Sequence, residues 1–177
     1  SILDTLDTEY IEIERLSRFS ARATDVDVID DLMIHDLDLL TRFMPGHIID
    51  IRAKGIGVMT KKPDIVHVRI EIQIPNGRVG VVNMSASRVS PRTVRTWRII
   101  EPGRYWSLDL KDHKAKVVEW ENQDMWSRQI PIPHEDALTA QHDAFFEAIR
   151  QRSAFACTGK DALQALQLAD RIRTCLA

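Results

Sequence analysis

Residues 65–88 read IVHVRIEIQIPNGRVGVVNMSASR, and this stretch decides the fold. Val66, Val68, Ile70, Ile72 and Ile74 alternate with His67, Arg69, Glu71 and Gln73, the period of two of a strand with one buried face. Asn76-Gly77 follows at once and is the strongest short hairpin signal. Residues 78–88 supply the partner strand, and Pro91 ends it.

Working outward, residues 93–101 read as another strand, Pro102-Gly103 as a turn, and residues 105–110 and 115–120 as a hairpin around Lys111-Asp112-His113. Residues 122–133 have no periodicity and are expected to be irregular. Two helices then close the chain. The first starts at 133–136 and has its apolar side at Ala137, Leu138, Phe145, Ala148 and Ile149; the second opens on a capping box, Thr158 with Asp161, and uses Leu163, Leu166, Leu168, Ala169 and Ile172. Upstream, residues 48–59 read as a strand with a bulge or twist expected at Gly55 and Gly57, and 61–64 as a turn. Residues 25–43 read as a helix capped by Thr24 or Asp25 and stopped by Pro45-Gly46, and residues 10–18 as a strand. The order is strand, helix, about six strands in a meander, then two helices. That is an α+β fold with an open, predominantly antiparallel sheet and helices packed on one face. The bare face, with His67, Arg69, Glu71 and Gln73, is either solvated or joined to another protein or subunit.

The chain has 177 residues, 44% hydrophobic and 28% charged, the balance of one ordinary soluble domain with a real core. A formal net charge of −2 provides no general basic field for nucleic acid. No apolar run approaches the roughly 20 residues of a membrane span, and no secretory leader opens the chain. Cys157 and Cys175 alone do not make a disulfide framework or a metal motif, so the expected compartment is a reducing cytoplasm. The chain opens on Ser1 and not on Met, from which a fragment or a processed chain is expected.

The chemistry concentrates in residues 25–40, DVDVIDDLMIHDLDLL, with six aspartates and one histidine. On a helix, Val28, Leu32 and Leu39 share a stripe, and Asp31 and His35 are neighbours four residues apart. A carboxylate beside an imidazole can orient the ring and raise its basicity, as a general base requires. The same spacing also fits an acidic helix whose charges only face water. Nothing else competes. Gly55-Ile56-Gly57 lacks a third glycine and lies in a strand, so it is not a dinucleotide fingerprint. No P-loop is present, and Ser85, Ser87 and Ser90 sit on no nucleophile elbow. His47, His67, His113, His134 and His142 are scattered, and no metal-ligand spacing occurs. Arg88, Arg92, Arg95 and Arg98 form a row that either binds a phosphate-bearing ligand or faces solvent or a subunit.

The ordered set of DLMIHDLDLL, Ala53-Lys54-Gly55, Asn76-Gly77-Arg78-Val79, Ser87-Arg88-Val89-Ser90, Glu135, Ala137-Leu138 and Thr158-Gly159 resembles the C-terminal domain of the glucose–fructose oxidoreductase, inositol dehydrogenase and MocA family. The resemblance runs from about residue 9 to residue 175. It implies a fold like the C-terminal domains of dihydrodipicolinate reductase and glyceraldehyde-3-phosphate dehydrogenase, with 1–8 as a residual linker and 9–177 as one substrate-binding and oligomerisation domain. It implies NAD or NADP bound mainly by a separate N-terminal Rossmann domain, with no cofactor-binding residue and no metal site in this chain. The family's catalytic lysine belongs to that other domain. His35 would be the acid/base residue, Asp31 would orient it, and Asp38 would lie near substrate. Arg22, in SARATDVDV, resembles the arginine of members acting on nucleotide sugars, and the stretch is most similar to the UDP-N-acetylglucosamine 3-dehydrogenase-like branch. Met33 stands where the family's motif usually has glycine, which leaves the Asp and His of the motif unaffected but makes the pocket shape near it harder to infer from the resemblance. The implied activity is oxidation or reduction of a sugar or nucleotide-sugar secondary hydroxyl, with the isolated chain redox-inactive. The implied assembly is a homodimer or tetramer through the sheet face. A non-catalytic oligomerisation or phosphate-binding module is the alternative.

Overall fold

The computed structural model describes residues 8–21, 24–75, 77–121, 124–132, 136–155 and 157–176. Arg22, Asn76, His134 and the expected helix start at 133–135 lie outside them. Eight strands form one sheet: β1 (Tyr10–Leu16), β2 (His47–Ile56), β3 (Ile65–Gln73), β4 (Val79–Ser87), β5 (Val94–Glu101), β6 (Arg104–Asp109), β7 (Lys114–Glu121) and β8 (Asp124–Ile130). The helices are α1 (Ile34–Phe43), α2 (Ala137–Gln151) and α3 (Gly159–Thr174).

The α+β reading holds, but the meander is broken in one place. The strand order is β2-β3-β4-β1-β5-β6-β7-β8, with β1 inserted between β4 and β5, parallel to the first and antiparallel to the second. In that position β1 has a ladder on both sides, and Ile11 and Ile13 sit in the centre of the core. The β4–β5 connection passes the end of β1 and is tied to it by Ser17 N–H to Ser87 O at 2.8 Å and Ser90 N–H to Ser17 O at 3.0 Å. The alternation in β3 is as expected: Val66, Val68, Ile70 and Ile72 are buried under α1 and α3, and His67 and Gln73 are exposed. Gly77 closes the β3–β4 hairpin at φ 86°, a left-handed conformation that suits glycine.

Four local expectations are corrected. The bulge in β2 lies between Ile48 and Asp50, away from the glycines. Residues 124–130 are strand β8; its residues are nearly all exposed, so burial never imposed the apolar alternation that marks a strand in sequence. The helix over 25–43 begins with a π turn, Ile29–Met33, which leads into α1. That wider turn moves the buried stripe from Val28, Leu32 and Leu39 to Val28, Ile29, Met33, Leu37 and Leu40. Its cap is Asp27, whose Oδ1 accepts from the Ile29 and Asp30 amides at 2.9 and 3.1 Å. Finally, α3 buries Ala165, Leu168, Ala169 and Ile172 but leaves Leu163 and Leu166 exposed, and α2 buries only Ala148. The Thr158–Asp161 capping box is present as read.

One buried ion pair ties the loop after β2, the end of β4 and the start of the helical segment together. Asp64 is 0% exposed and Arg88 2%. Arg88 Nε donates to Asp64 Oδ1 at 2.7 Å, and the amides of Val58, Met59 and Thr60 donate to Asp64 Oδ2 at 2.7, 2.6 and 2.8 Å. Arg88 also donates to Val26 O at 2.9 Å, in the segment before the π turn. Burial pushes the Asp64 carboxyl upward, but the Thr60 amide, the Arg88 guanidinium and the Val58 and Met59 amides outweigh it and hold the group well below the usual carboxylate range. Its contribution is therefore fully present above the unfolded value of 3.8 and is lost only as pH falls through the depressed folded value. Asp64→Asn leaves Arg88 buried without its counter-charge, and chemical denaturation is expected to read a loss of about 3–5 kcal/mol at neutral pH.

Candidate active site

The acidic segment is not a solvated face. Asp27 caps the π turn and accepts from Arg173 of α3 at 2.9 Å, and Asp30 also accepts from Arg173. Lys62 reaches the Asp25 carbonyl. Asp38 pairs with Arg42 at 3.1 Å, one turn along α1. These contacts fix where α1 begins and which way it faces.

Asp36, in the first turn of α1, is the anchor. It is 2% exposed and accepts from Arg15 of β1 through two nitrogens, Nη2 to Oδ1 at 2.9 Å and Nε to Oδ2. Trp97 Nε1 of β5 donates to the same Oδ1 at 2.9 Å. Phe43, at the other end of α1, meets the Trp97 ring edge to face with centroids 6.0 Å apart. A charge-assisted bidentate pair closed by a third donor is geometrically selective. It sets the roll of α1 on the sheet.

That roll turns His35, the preceding residue, outward and leaves it exposed. Its ring stands near the Arg15–Arg95 corner, where these two residues are cross-strand partners of β1 and β5. Crowding by protein atoms pushes the His35 pKa below its ordinary 6.5, and Arg15 and Arg95 push it the same way, while Asp36 and, more weakly, Asp31 pull it up. At neutral pH the ring is an uncharged base with one acceptor nitrogen.

The structure brings together some of the expected residues. Asp31, His35 and Asp38 all lie on the helical segment and are at least partly accessible, and of the two carboxylates only Asp31 acts electrostatically on His35. No hydrogen bond joins Asp31 to His35 among the described residues; Arg88 Nη1 stands 3.9 Å from Asp31. Asp31 therefore acts on His35 through space and not as a direct tether. Asp38 is committed to Arg42, and Arg22 lies outside the described residues. The arginine row is not a row: Arg88 is buried on Asp64, Arg98 pairs with Glu12 on the bare face at 3.3 Å, and Arg95 lies on the helix side. The sequence reading missed Asp36, Arg15 and Trp97. A signal existed, because Asp36 stands three and four residues from Met33 and Leu40 on the buried stripe, where a charge demands a partner. Among the described residues no group of three or more His, Cys, Asp and Glu is placed to hold a metal.

An open, mostly antiparallel sheet of eight strands with helices packed on one face matches the fold of the C-terminal domains of oxidoreductases of the glucose–fructose oxidoreductase, inositol dehydrogenase and MocA family. The chain is homologous to UDP-N-acetylglucosamine 3-dehydrogenase of Acidithiobacillus ferrooxidans, with 32% identity over 170 residues, 93% of this chain. The chain spans about half of that curated relative, 53% of its length. A solved structure of the same enzyme superposes with a TM-score of 0.85, covering 96% of this chain and 54% of that one. A dehydrogenase from Clostridium difficile, at 15% identity, shares the fold with a TM-score of 0.77 over 98% of this chain and 56% of that one. A biliverdin reductase from Synechocystis, solved with biliverdin and NADP+, does so at 12% identity with a TM-score of 0.71 over 96% and 55%. No protein-family profile matches the chain. No helix among the described residues is long and apolar enough to cross a membrane.

Folding favours the neutral His35 ring, so its effect on stability is nil above pH 6.5 and unfavourable as pH falls below it. Asp36→Asn removes the nearest charge that raises this pKa and strands Arg15. We expect the His35 resonances to titrate at lower pH in the variant than in the wild type, and the midpoint of thermal unfolding to fall, by NMR and calorimetry respectively.

Proposed function

We propose that this chain is the substrate-binding and acid–base domain of an NAD(P)-dependent oxidoreductase acting on a secondary hydroxyl of a sugar or nucleotide sugar. The observation that supports it is His35: an exposed, neutral imidazole held on a helix whose roll is set by a buried ion pair, in a chain homologous to a nucleotide-sugar dehydrogenase. In the oxidative direction His35 takes the hydroxyl proton, which the lowered pKa allows at neutral pH. Asp31 and Asp36 stabilise the imidazolium that forms, and Arg15 and Arg95 limit its lifetime by repulsion. The proton then passes to water at the exposed ring. Arg95 is exposed and in no ion pair among the described residues, and it adds positive charge beside the base for a phosphate-bearing substrate. Arg22 and Asp38 complete the substrate contacts in this reading.

In this reading the nicotinamide binds outside this chain. The start of the first helical segment carries the Asp27 carboxylate, α2 is capped by Asp136, and α3 by Thr158 with Asp161. Acidic groups occupy the positions where a dinucleotide pyrophosphate needs free amides. NAD or NADP on a second domain would accept the hydride.

In the intact protein, His35→Ala is expected to lower turnover with a UDP-sugar by about 10²–10⁴-fold, with cofactor affinity by fluorescence titration unchanged. Near-wild-type turnover removes His35 from the chemistry.

A second reading concerns the bare sheet face. Arg52, Lys54 and Arg69 of β2 and β3 face the same way as Glu12 and Glu14 of β1, with β4 between them, so two copies related by a two-fold axis could match opposite charges. Light scattering at rising salt is expected to show this association weakening, and an assembly state indifferent to salt counts against it.

A further inference from the structure

The two edges of the sheet are finished differently. At β2 the ladder carries a bulge between Ile48 and Asp50, the strand presents Asp50, Arg52 and Lys54, and Leu176 bridges to Ala53. Bulges, charges and cover are the devices that stop a sheet edge from pairing with another chain. Among the described residues β8 has neither a bulge nor a covering segment. Its seven residues pair with β7 from Glu121↔Asp124 to Ala115↔Ile130 without a register shift. No proline, glycine or lysine interrupts it. It also displays large apolar groups, with Met125 and Trp126 each 65% exposed and Trp120 of β7 50%.

The order of residues along β8, Asp-Met-Trp-Ser-Arg-Gln-Ile, is self-complementary. Antiparallel pairing of β8 with a second β8 has a two-fold axis through one residue. When that residue is Trp126, Asp124 of each copy lies opposite Arg128 of the other, and Met125 lies opposite Ser127. Asp124, Trp126 and Arg128 alternate with Met125 and Ser127, so all three share one face. The register that brings the two indoles together therefore also places a carboxylate against a guanidinium on both sides of them. Moving the axis to Met125 or to Ser127 loses both charge pairs. Arg128 is accessible for this: it stands 3.5 Å from Glu119, with its side chain 66% exposed. In the paired edge it would lie between Glu119 of its own chain and Asp124 of the other.

We propose that β8 is a self-association edge, through which two copies of this chain pair β8 to β8 with Trp126 on the axis and two flanking Asp124–Arg128 ion pairs. The two eight-stranded sheets become one continuous sheet with the helices of both copies on the same side. This contact uses neither the bare face nor the His35 site, so it stands or falls independently of both.

The register is tested by cross-linking and by charge reversal in the intact protein with Cys157→Ser and Cys175→Ser. Trp126→Cys places two thiols beside each other across the axis, and mild oxidation is expected to give a disulfide-linked dimer on a non-reducing gel. Gln129→Cys, whose counterpart would lie beyond the strand, is expected to stay uncoupled. In sedimentation experiments without those cysteines, Asp124→Arg and Arg128→Asp should each weaken association roughly tenfold, because like charges then face each other. The double variant should restore it. A Trp126→Cys protein that cross-links no better than Gln129→Cys, or a double variant that associates no better than the single ones, overturns the proposal.

Discussion

The Asp64–Arg88 pair is the constraint on which the site end of the sheet depends. A carboxylate with no solvent exposure is costly, and it survives here because three amides and a guanidinium surround it. Those donors come from the loop after β2 and from the end of β4. Arg88 then reaches Val26 and faces Asp31. The helical segment that bears the histidine is thus attached to the sheet by directed polar contacts as well as by its apolar side chains. A hydrophobic contact at this point would leave the segment free to slide; a directed network does not.

Asp36 performs the matching task one turn later. Asp36 and His35 are adjacent, yet they have opposite fates. The carboxylate is drawn inward by Arg15 and Trp97, and the ring is consequently turned outward. The inward charge still matters electrostatically, because it opposes the two arginines that depress the ring's pKa. The ring is therefore tuned first by burial and then by a balance of buried and surface charges, and not by one tethering partner. The motif's aspartate, Asp31, is a member of that balance with a small share.

The alternating stretch 65–88, the helical period of residues 34–43 and the capping box at Thr158 were legible because each is a local pattern with a local cause. β8 was not, since an edge strand exposed on nearly every residue has no burial to write into its pattern. The place of β1 was not legible either. Its neighbours are 71 and more residues away in sequence, and alternation says which face is buried but not which strands lie beside it.

For the candidate site, residue types and spacing placed one histidine among carboxylates on one helical segment and left its role open. Only the tertiary structure decided which carboxylate was buried, which arginines faced the ring, and that the expected arginine row was divided among an ion pair, the bare face and the site. Each of those outcomes depends on distances between strands that are remote in sequence. A sequence lists charges, but the pairing of a charge is a property of what folding places beside it.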